Sequence, residues 1–435
     1  MAVTGWFVAL VAIGVLPIIA IGEATGNGWA PFVGWLAFCV LLLVLDVVLA
    51  GSPRRLSIYR DLPDRVRLGE TVTSSLFVTN AGRRTVRALV RDAWQPSAVA
   101  TPTRRRLRLP PGERRSISQT LTPFRRGDRT SALIIVRSFG PLRLGARQAT
   151  LDVPGRVRVL PPFNARKHLP SRLARLRELD GSSAVMVRGQ GTEFDSLREY
   201  VRGDDVRSID WRATARRQDL VVRTWRPERD RRVVIVIDTG RTSAARIDNE
   251  PRIDTAFESS LLLAALATRA GDRVDLVAYD RRVRGRVQGA NGPTLLSRMV
   301  DTMAGIDPEL IEMDWDAVPA QVRDITAHRA LVVLLTSIDA PGASQGLLSV
   351  LPQLTQKHTV VVASVTDPDV VRAVSQRDRL NDVYRAASAE RALLDTTRVA
   401  AAIRQQGADV VTGPPADLPP ALSDHYIALK AAGRL

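Results

Sequence analysis

The chain has 435 residues, 45% of them apolar and 25% charged, a balance that excludes a disordered chain and allows two or three folded domains. Its single cysteine, Cys39, excludes a disulfide framework and a thiolate metal site within one chain. A formal charge of +17, from 62 basic against 45 acidic residues, invites a nucleic-acid reading, but no helix-turn-helix pattern, zinc-finger spacing or RNP-type aromatic run accompanies it.

Met1 to Gly22 and Ala24 to Leu45 are two runs of 22 residues without a charged side chain, separated only by Glu23. About 20 residues of helix cross a bilayer core, so residues 1–52 read as a transmembrane helical hairpin. A cleaved signal peptide is the rival for the first run, but it lacks a basic leading segment and a small-x-small cleavage site. The following stretch, GSPRRLSIYRDLPDRVR, carries five arginines. The positive-inside bias therefore expects a two-pass inner or plasma membrane protein with its N-terminus and soluble domains in the cytoplasm. Asp46, near the cytoplasmic end of the second helix, reads as an interfacial carboxylate.

Residues 53–163 alternate short β-rich runs, such as TVTSSLFVTN, TVRALVRDA and SALIIVRS, with Gly, Pro and Asn turn signals. The pattern predicts an antiparallel β-sandwich of about seven strands, immunoglobulin-like in architecture only. Most of the charge sits here, with 23 basic against 7 acidic residues in 51–163, compared with 22 against 25 in 233–435. All but Lys167, Lys357 and Lys430 of the basic residues are arginine. Membrane lipids with anionic headgroups, rather than nucleic acid, are the expected partner of this domain.

From residue 231 the texture changes. RRVVIVID, DRVDLVAYD, ALVVLLTSI and HTVVVASVTD are apolar strands separated by helical stretches, including PRIDTAFESSLLLAALATRAG and a long helix ending at Gly407. Such alternation predicts a doubly wound α/β domain over 231–435 with a parallel sheet, whose ligand sites lie at the carboxyl ends of its strands. The first strand ends in IDTGRTS, where Asp238 and Thr242 could offer hard oxygens to a cation.

This arrangement resembles von Willebrand factor A domains, whose metal-ion-dependent adhesion site uses Asp-x-Ser-x-Ser after the first strand and an Asp after a later one. Here Gly240 stands where the first Ser would be. Ser337 of LLTSID stands where the later Asp would be, with Asp339 displaced by two. The resemblance makes Asp238, Thr242 and Asp339 the candidate metal ligands, with Mg²⁺ as the cation, against the blander reading of Asp238 as a strand-end cap. No catalytic constellation emerges: His168, His328, His358 and His425 stand near no nucleophile at a mechanistic spacing. No lysine follows a glycine, as a phosphate-binding loop would need. No cofactor is expected, and the expectation is a non-enzyme.

Between these domains, residues 164–230 hold a dense charged segment, GQGTEFDSLREYVRGDDVRSIDWRATARRQDLVVRTW. Phe194, Leu197, Tyr200 and Val201 recur at three- and four-residue spacing, predicting a helix that Gly203 ends. A second short turn follows, with Asp204 or Asp205 as its N-cap, and DLVVRTW reads as a strand. From Arg188 to Arg217 seven basic residues face six acidic ones, which predicts ion pairing among braced aromatics rather than a phosphate-binding surface.

Gly189, Gly191, Glu193, Phe194, Arg198, Tyr200, Gly203, Asp204, Arg207, Asp210, Trp211, Ala215 and Arg216 resemble the signature of the domain of unknown function 58 family. That resemblance implies a bacterial membrane protein with a β-rich segment and an A-type domain, partnered with an AAA+ ATPase of the MoxR type. Its expected function is that of a membrane-anchored, non-catalytic interaction or adaptor protein, with these residues as the interaction surface. The alternative is a divalent-cation-dependent adhesive or hydrolytic module.

Overall fold

The computed structural model describes the chain except Met1 and residues 184–192, 202, 203, 227–230, 249, 340, 341 and 343, and describes only the backbone of 180–183, 193–196, 217 and 224–226. It divides into two compact units, Met1–Leu160 and Pro161–Leu435.

In the first unit the apolar runs form α1 (Gly5–Ile13), α2 (Val15–Thr25) and α3 (Trp29–Leu49). The first two make one span interrupted at Gly14, so the unit has two apolar helices long enough to cross a membrane. At Gly14 a Cβ would lie 1.8 Å from Trp35 Nε1, so the missing side chain lets the two spans approach. The residues before α1 form a two-residue strand, β1 (Ala2–Val3).

The remainder is β2 (Leu56–Asp61), β3 (Arg65–Arg67), β4 (Val72–Asn80), β5 (Val86–Trp94), β6 (Ala100–Thr101), β7 (Arg105–Leu109), β8 (Arg114–Leu121), β9 (Gly127–Phe139) and β10 (Gly145–Leu160). One sheet runs β1-β10-β9-β5-β7, with β3 added to β10, and the other runs β2-β4-β8-β6. Period-2 patterning gives each sheet an apolar face. The two faces meet in one core that includes Leu76 and Val78 from one sheet and Val90, Ile134 and Val136 from the other. Burying each such side chain is worth about 1.5–3 kcal/mol.

A charge pair crosses this core. Arg60 donates to Asp92 through both terminal nitrogens, at 2.7 and 2.9 Å. Asp92 also accepts from Trp94 Nε1 and Ser131 Oγ, both at 2.7 Å.

Both ends of the apolar helical hairpin meet the turn between β9 and β10. At one end β1 pairs with Gly145 and Ala146, and Thr4 donates to the Arg143 and Leu144 carbonyls. At the other, Asp46 of α3 accepts from the backbone N–H of Leu142 at 2.7 Å and of Gly145 at 2.9 Å. Asp46 is therefore buried, its carboxylate turned onto amides rather than toward water. A Cβ on Gly140 would sit 2.2 Å from Asp46 Oδ1, so only glycine lets the turn come this close.

The second unit begins with α4 (Leu169–Ser183), β11 (Glu193–Glu199), α5 (Trp211–Arg217) and β12 (Val221–Arg226), and the two strands form their own antiparallel ladder. Next come β13 (Arg232–Asp238), the short pair β14 (Arg246–Ile247) and β15 (Glu250–Pro251), α6 (Arg252–Arg269), β16 (Arg273–Tyr279), β17 (Val283–Val287), α7 (Gly292–Ala304) and α8 (Val318–Ile325). The chain ends with β18 (Leu331–Leu335), α9 (Gln345–Thr355), β19 (Thr359–Val365), α10 (Pro368–Ser375), α11 (Leu380–Gln405), β20 (Asp409–Gly413) and α12 (Leu418–Ala431).

The main sheet has the order β17-β16-β13-β18-β19-β20, parallel throughout except for the edge strand β17. Its central runs are buried at nearly every position because helices cover both faces. Val234 and Val236 pack with Val322, Leu351 and Ile403 of α8, α9 and α11, while α6, buried from Ile253 to Ala267, lies against β13 and β16 from the other side. The antiparallel β17 is not expected from the sequence, because VRGRV lacks an apolar run. It pairs where Gly285 leaves room for Thr302, whose Cγ2 would lie 2.4 Å from an added Cβ.

Asp46→Ala would leave the buried Gly145 amide and the partly buried Leu142 amide without their acceptor, at about 1–3 kcal/mol for the buried one and less for the other. The full chain in neutral detergent is expected to lose about 1–4 kcal/mol of stability, read as a lower thermal midpoint, with Asp46→Asn recovering part of it. An unchanged midpoint for Asp46→Ala would show that the turn does not depend on this carboxylate.

Candidate functional site

β13 delivers Asp238 to the carboxyl end of the sheet, where its side chain is 4% exposed. Its Oδ1 accepts from Gly240 N at 2.8 Å, and its Oδ2 accepts from Thr336 Oγ1 at 2.7 Å and Thr242 Oγ1 at 3.2 Å. Burial pushes the Asp238 pKa above the usual carboxylate range, and the nearby Asp280 charge adds to the rise, against the three hydrogen bonds.

Asp280, at the end of the neighbouring β16, is fully buried and goes the other way. Burial opposes its charge, but the Arg284 guanidinium at 2.5 Å, the amides of Arg282 and Arg281 and the Thr239 hydroxyl outweigh this and hold its pKa low. Adjacent strand ends thus carry carboxyls whose pKa values are displaced in opposite directions.

Above Asp238 lies an open cleft of about 650 Å³, lined among others by Arg241, Arg281, Asp314, Trp315, Thr336 and Ser344. Both signs of charge are present, and Arg241 pairs with Glu312 at 2.8 Å.

Of the three candidate metal ligands, Asp238 and Thr242 come together and Asp339 does not. Asp339 is bound by both terminal nitrogens of Arg252, one at 3.0 Å. Thr336, three residues earlier, reaches Asp238 instead. Thr336, which is absent from the candidates that the sequence offers, occupies the place beside Asp238. Its one signal is the position directly after a buried strand.

Gly240 has no space for a side-chain oxygen, since a Cβ there would be 2.9 Å from the Ile311 carbonyl and 3.0 Å from Asp238 Oδ1. Asp238 is the one carboxylate among the three side chains that meet here, and both hydroxyls donate to it. Among the described residues no group of three or more His, Cys, Asp and Glu is placed to hold a metal ion. The residues present do not fit the adhesion-type metal site.

The charged segment is built differently from what its sequence predicts. Residues 193–199, expected as a helix, form β11. The β-branched residues of β12 require a partner for their backbone groups, and the segment follows a period of two, with Leu197 and Glu199 exposed and Arg198 and Tyr200 half-buried. The helical spacing of Phe194, Leu197, Tyr200 and Val201 is a coincidence of a short window.

The expected capped turn is present, as Asp205 accepts from Arg207 N at the single turn Val206–Ser208. Asp210 caps α5, accepting from Arg212 N and Ala213 N at 3.0 Å each. The expected ion pairs form between Arg198 and Asp204 at 2.6 Å and between Arg223 and Asp210 at 2.8 Å. The Ala213 amide, followed by the Arg223 guanidinium, holds the Asp210 pKa low.

Of the segment's aromatics whose side chains are described, Tyr200 is half-buried and Trp211 is 66% exposed, so the expected bracing is not seen at Trp211. Arg207, Ala215 and Arg216 are exposed as well. Glu193 and Phe194 are placed by backbone alone, and Gly189, Gly191 and Gly203 lie outside the described residues.

Residues 196–405 match the family model described as "Protein of unknown function DUF58". The DUF58 match starts within β11 and runs through α11, so it takes in both the ion-paired segment and the strand-end cleft. Uncharacterized proteins of Mycobacterium bovis and Mycobacterium tuberculosis are each 26% identical over 243 residues, covering 54% of this chain and 76% of theirs. Among solved structures, the CARDB domain of a Pyrococcus furiosus protein aligns with 23% of this chain and 94% of its own at 18% identity and a TM-score of 0.16, too low to bear on the fold.

The raised Asp238 pKa has a sign that can be checked. A native pKa above the unfolded value stabilises the fold below the ordinary aspartate range, and that stability is lost as pH rises through the native pKa. Intrinsic-rate-corrected hydrogen-exchange protection of β13 is therefore expected to fall as pH rises above the ordinary aspartate value of about 4, and to fall less in Asp238→Asn. Equal slopes would place no titration at Asp238 in that window.

Proposed function

We propose that this protein is a membrane-anchored, non-catalytic adaptor whose DUF58 domain recruits a MoxR-type AAA+ ATPase. The observation that carries this reading is the surface of the ion-paired segment. Val201, Val206, Trp211 and Leu220 are 61%, 63%, 66% and 45% exposed. They ride on a ladder and a helix held by Asp204, Asp205 and Asp210. Large apolar side chains on a rigid, charge-rimmed support are the makings of a binding hot spot.

Three further features support it. The hairpin's two ends meet one turn of the sandwich, as a two-pass anchor with its N-terminus on the side of the soluble domains requires. The arginine excess after α3 favours the cytoplasmic side of an inner or plasma membrane. The central β13 in a parallel sheet with one antiparallel edge favours a von Willebrand factor A-like binding module. In that module Asp238 serves to tie two strand ends together, and turnover is not assigned to it. A cation-dependent adhesive or hydrolytic role has the weaker support, given Gly240 and the engagement of Asp339 by Arg252.

Trp211→Ala changes an exposed side chain and is expected to alter stability by no more than about 0.5 kcal/mol. Capture of a MoxR-type ATPase by the full-length protein in detergent should weaken about 30-fold, as loss of a hot-spot residue does. Undiminished capture would remove this surface from the role.

A calorimetric titration with Mg²⁺ or Mn²⁺ is expected to give neither heat nor a shift in thermal midpoint, because a cation that bound only the native state would stabilise it. Saturable heat lost in Asp238→Asn would favour the cation reading.

A further inference from the structure

We propose that the end of the membrane hairpin and two turns of the sandwich together form a binding site for the phosphate headgroup of an anionic phospholipid. The inference rests on the membrane-anchored reading and names the ligand of that anchor.

Exposed apolar surface on α3 continues to its last turn, where Leu45, Val48 and Leu49 are 47%, 56% and 51% exposed. Beyond it the surface changes at once to arginine. Arg54 and Arg55 lie in the single turn that follows the helix and are exposed. The turn between β4 and β5 brings Arg83 and Arg84 to the same level, and the Arg84 guanidinium donates to the Val48 carbonyl at 2.5 Å. That turn is fixed from within by Asn80, whose side chain bonds the Arg84 and Leu109 carbonyls at 2.9 Å and accepts from Gly82 N. It also meets the stem of Arg55 at Gly82, where an added Cβ would be 3.5 Å from Arg55 Cδ. The turn between β9 and β10, held by Asp46, contributes exposed Arg143 and, at its tip, Leu142 at 57% exposure.

Five arginines thus surround the last turn of a membrane helix on backbone that is locked to that helix. No acidic residue occurs in 47–60, 81–91 or 137–147, and none of the five is ion-paired among the described residues. This differs from the arginines elsewhere in the unit that have carboxylates, such as Arg60 with Asp92 and Arg156 with Asp128. Guanidinium groups at the depth where apolar surface ends meet lipid phosphates, which match their fork of donors. Leu142 would enter the acyl boundary beside them.

The test uses the full chain purified in neutral detergent, titrated with short-chain phosphatidylglycerol, phosphatidylcholine or inorganic phosphate, with bound lipid read by native mass spectrometry. Phosphatidylglycerol is expected to bind in preference to phosphatidylcholine, with affinity falling as salt rises. Each arginine at an anionic surface is worth roughly fivefold. Arg83→Gln with Arg143→Gln should therefore weaken binding about 25-fold, whereas Arg83→Lys with Arg143→Lys should keep most of it.

A charge-matched control, Arg104→Gln with Arg125→Gln, lies toward the far end of the strands and should leave binding unchanged. Equal binding of both lipids, an equal loss in the control, or inorganic phosphate binding as tightly as the lipid would each overturn the proposal. A chain that stays soluble without detergent would instead sink the anchor reading. Lipid selectivity of the purified chain reports on the site separately from any ATPase capture.

Discussion

A carboxylate removed from water must be given donors, and this protein places that demand wherever elements of different kinds meet. Asp46 ties a membrane-length helix to a hairpin turn through two amides. Asp92 ties one sheet of the sandwich to the other through Arg60. Asp238 ties the ends of β13 and β18 through Thr336, and Asp272 holds α12 through Tyr426 at 2.5 Å and Lys430 at 3.1 Å. Each carboxylate is buried, and each would be costly to leave unmatched. The demand makes these joints specific, since an apolar contact could slide whereas a charge-assisted hydrogen bond fixes both distance and direction.

The same accounting separates the two candidate surfaces of the second unit. In the cleft, Asp238 already accepts three hydrogen bonds from the protein, and Asp339 accepts two from Arg252. What remains open to a ligand is a rim of mixed charge around Trp315. On the ion-paired segment the carboxylates are also engaged, but they hold a scaffold that leaves Trp211 and its apolar neighbours outward. Charge there supports a surface instead of forming one. The region matching DUF58 contains both features.

Long apolar patterns are legible in the amino-acid sequence. The two membrane-length runs, the alternating sandwich strands and the unbroken Val, Ile and Leu strands of the sheet all appear within a few residues of their expected places, because burial acts on every residue of such a run. Short mixed segments are not legible in this way. Residues 193–199 carry apolar groups compatible with either a helix or a strand, and only the presence of β12 settles them. The edge strand β17 has no run to read, and its pairing depends on the space at Gly285.

At the site, the sequence by itself determined which carboxylate would stand at the end of the first buried strand, because a strand of seven apolar and terminal residues can leave its sheet only once. It also narrowed the cap of the following turn to Asp204 or Asp205, since capping is a contact between neighbours, and the structure assigns it to Asp205. Which hydroxyl would reach Asp238, and whether Asp339 would, was decided only by tertiary structure. Those contacts join residues nearly a hundred positions apart, Asp238 with Thr336 and Arg252 with Asp339, and no local pattern specifies such a pairing. The exposure of Trp211 belongs to the same class, because burial is set by what the rest of the chain brings alongside, and no local pattern carries that information.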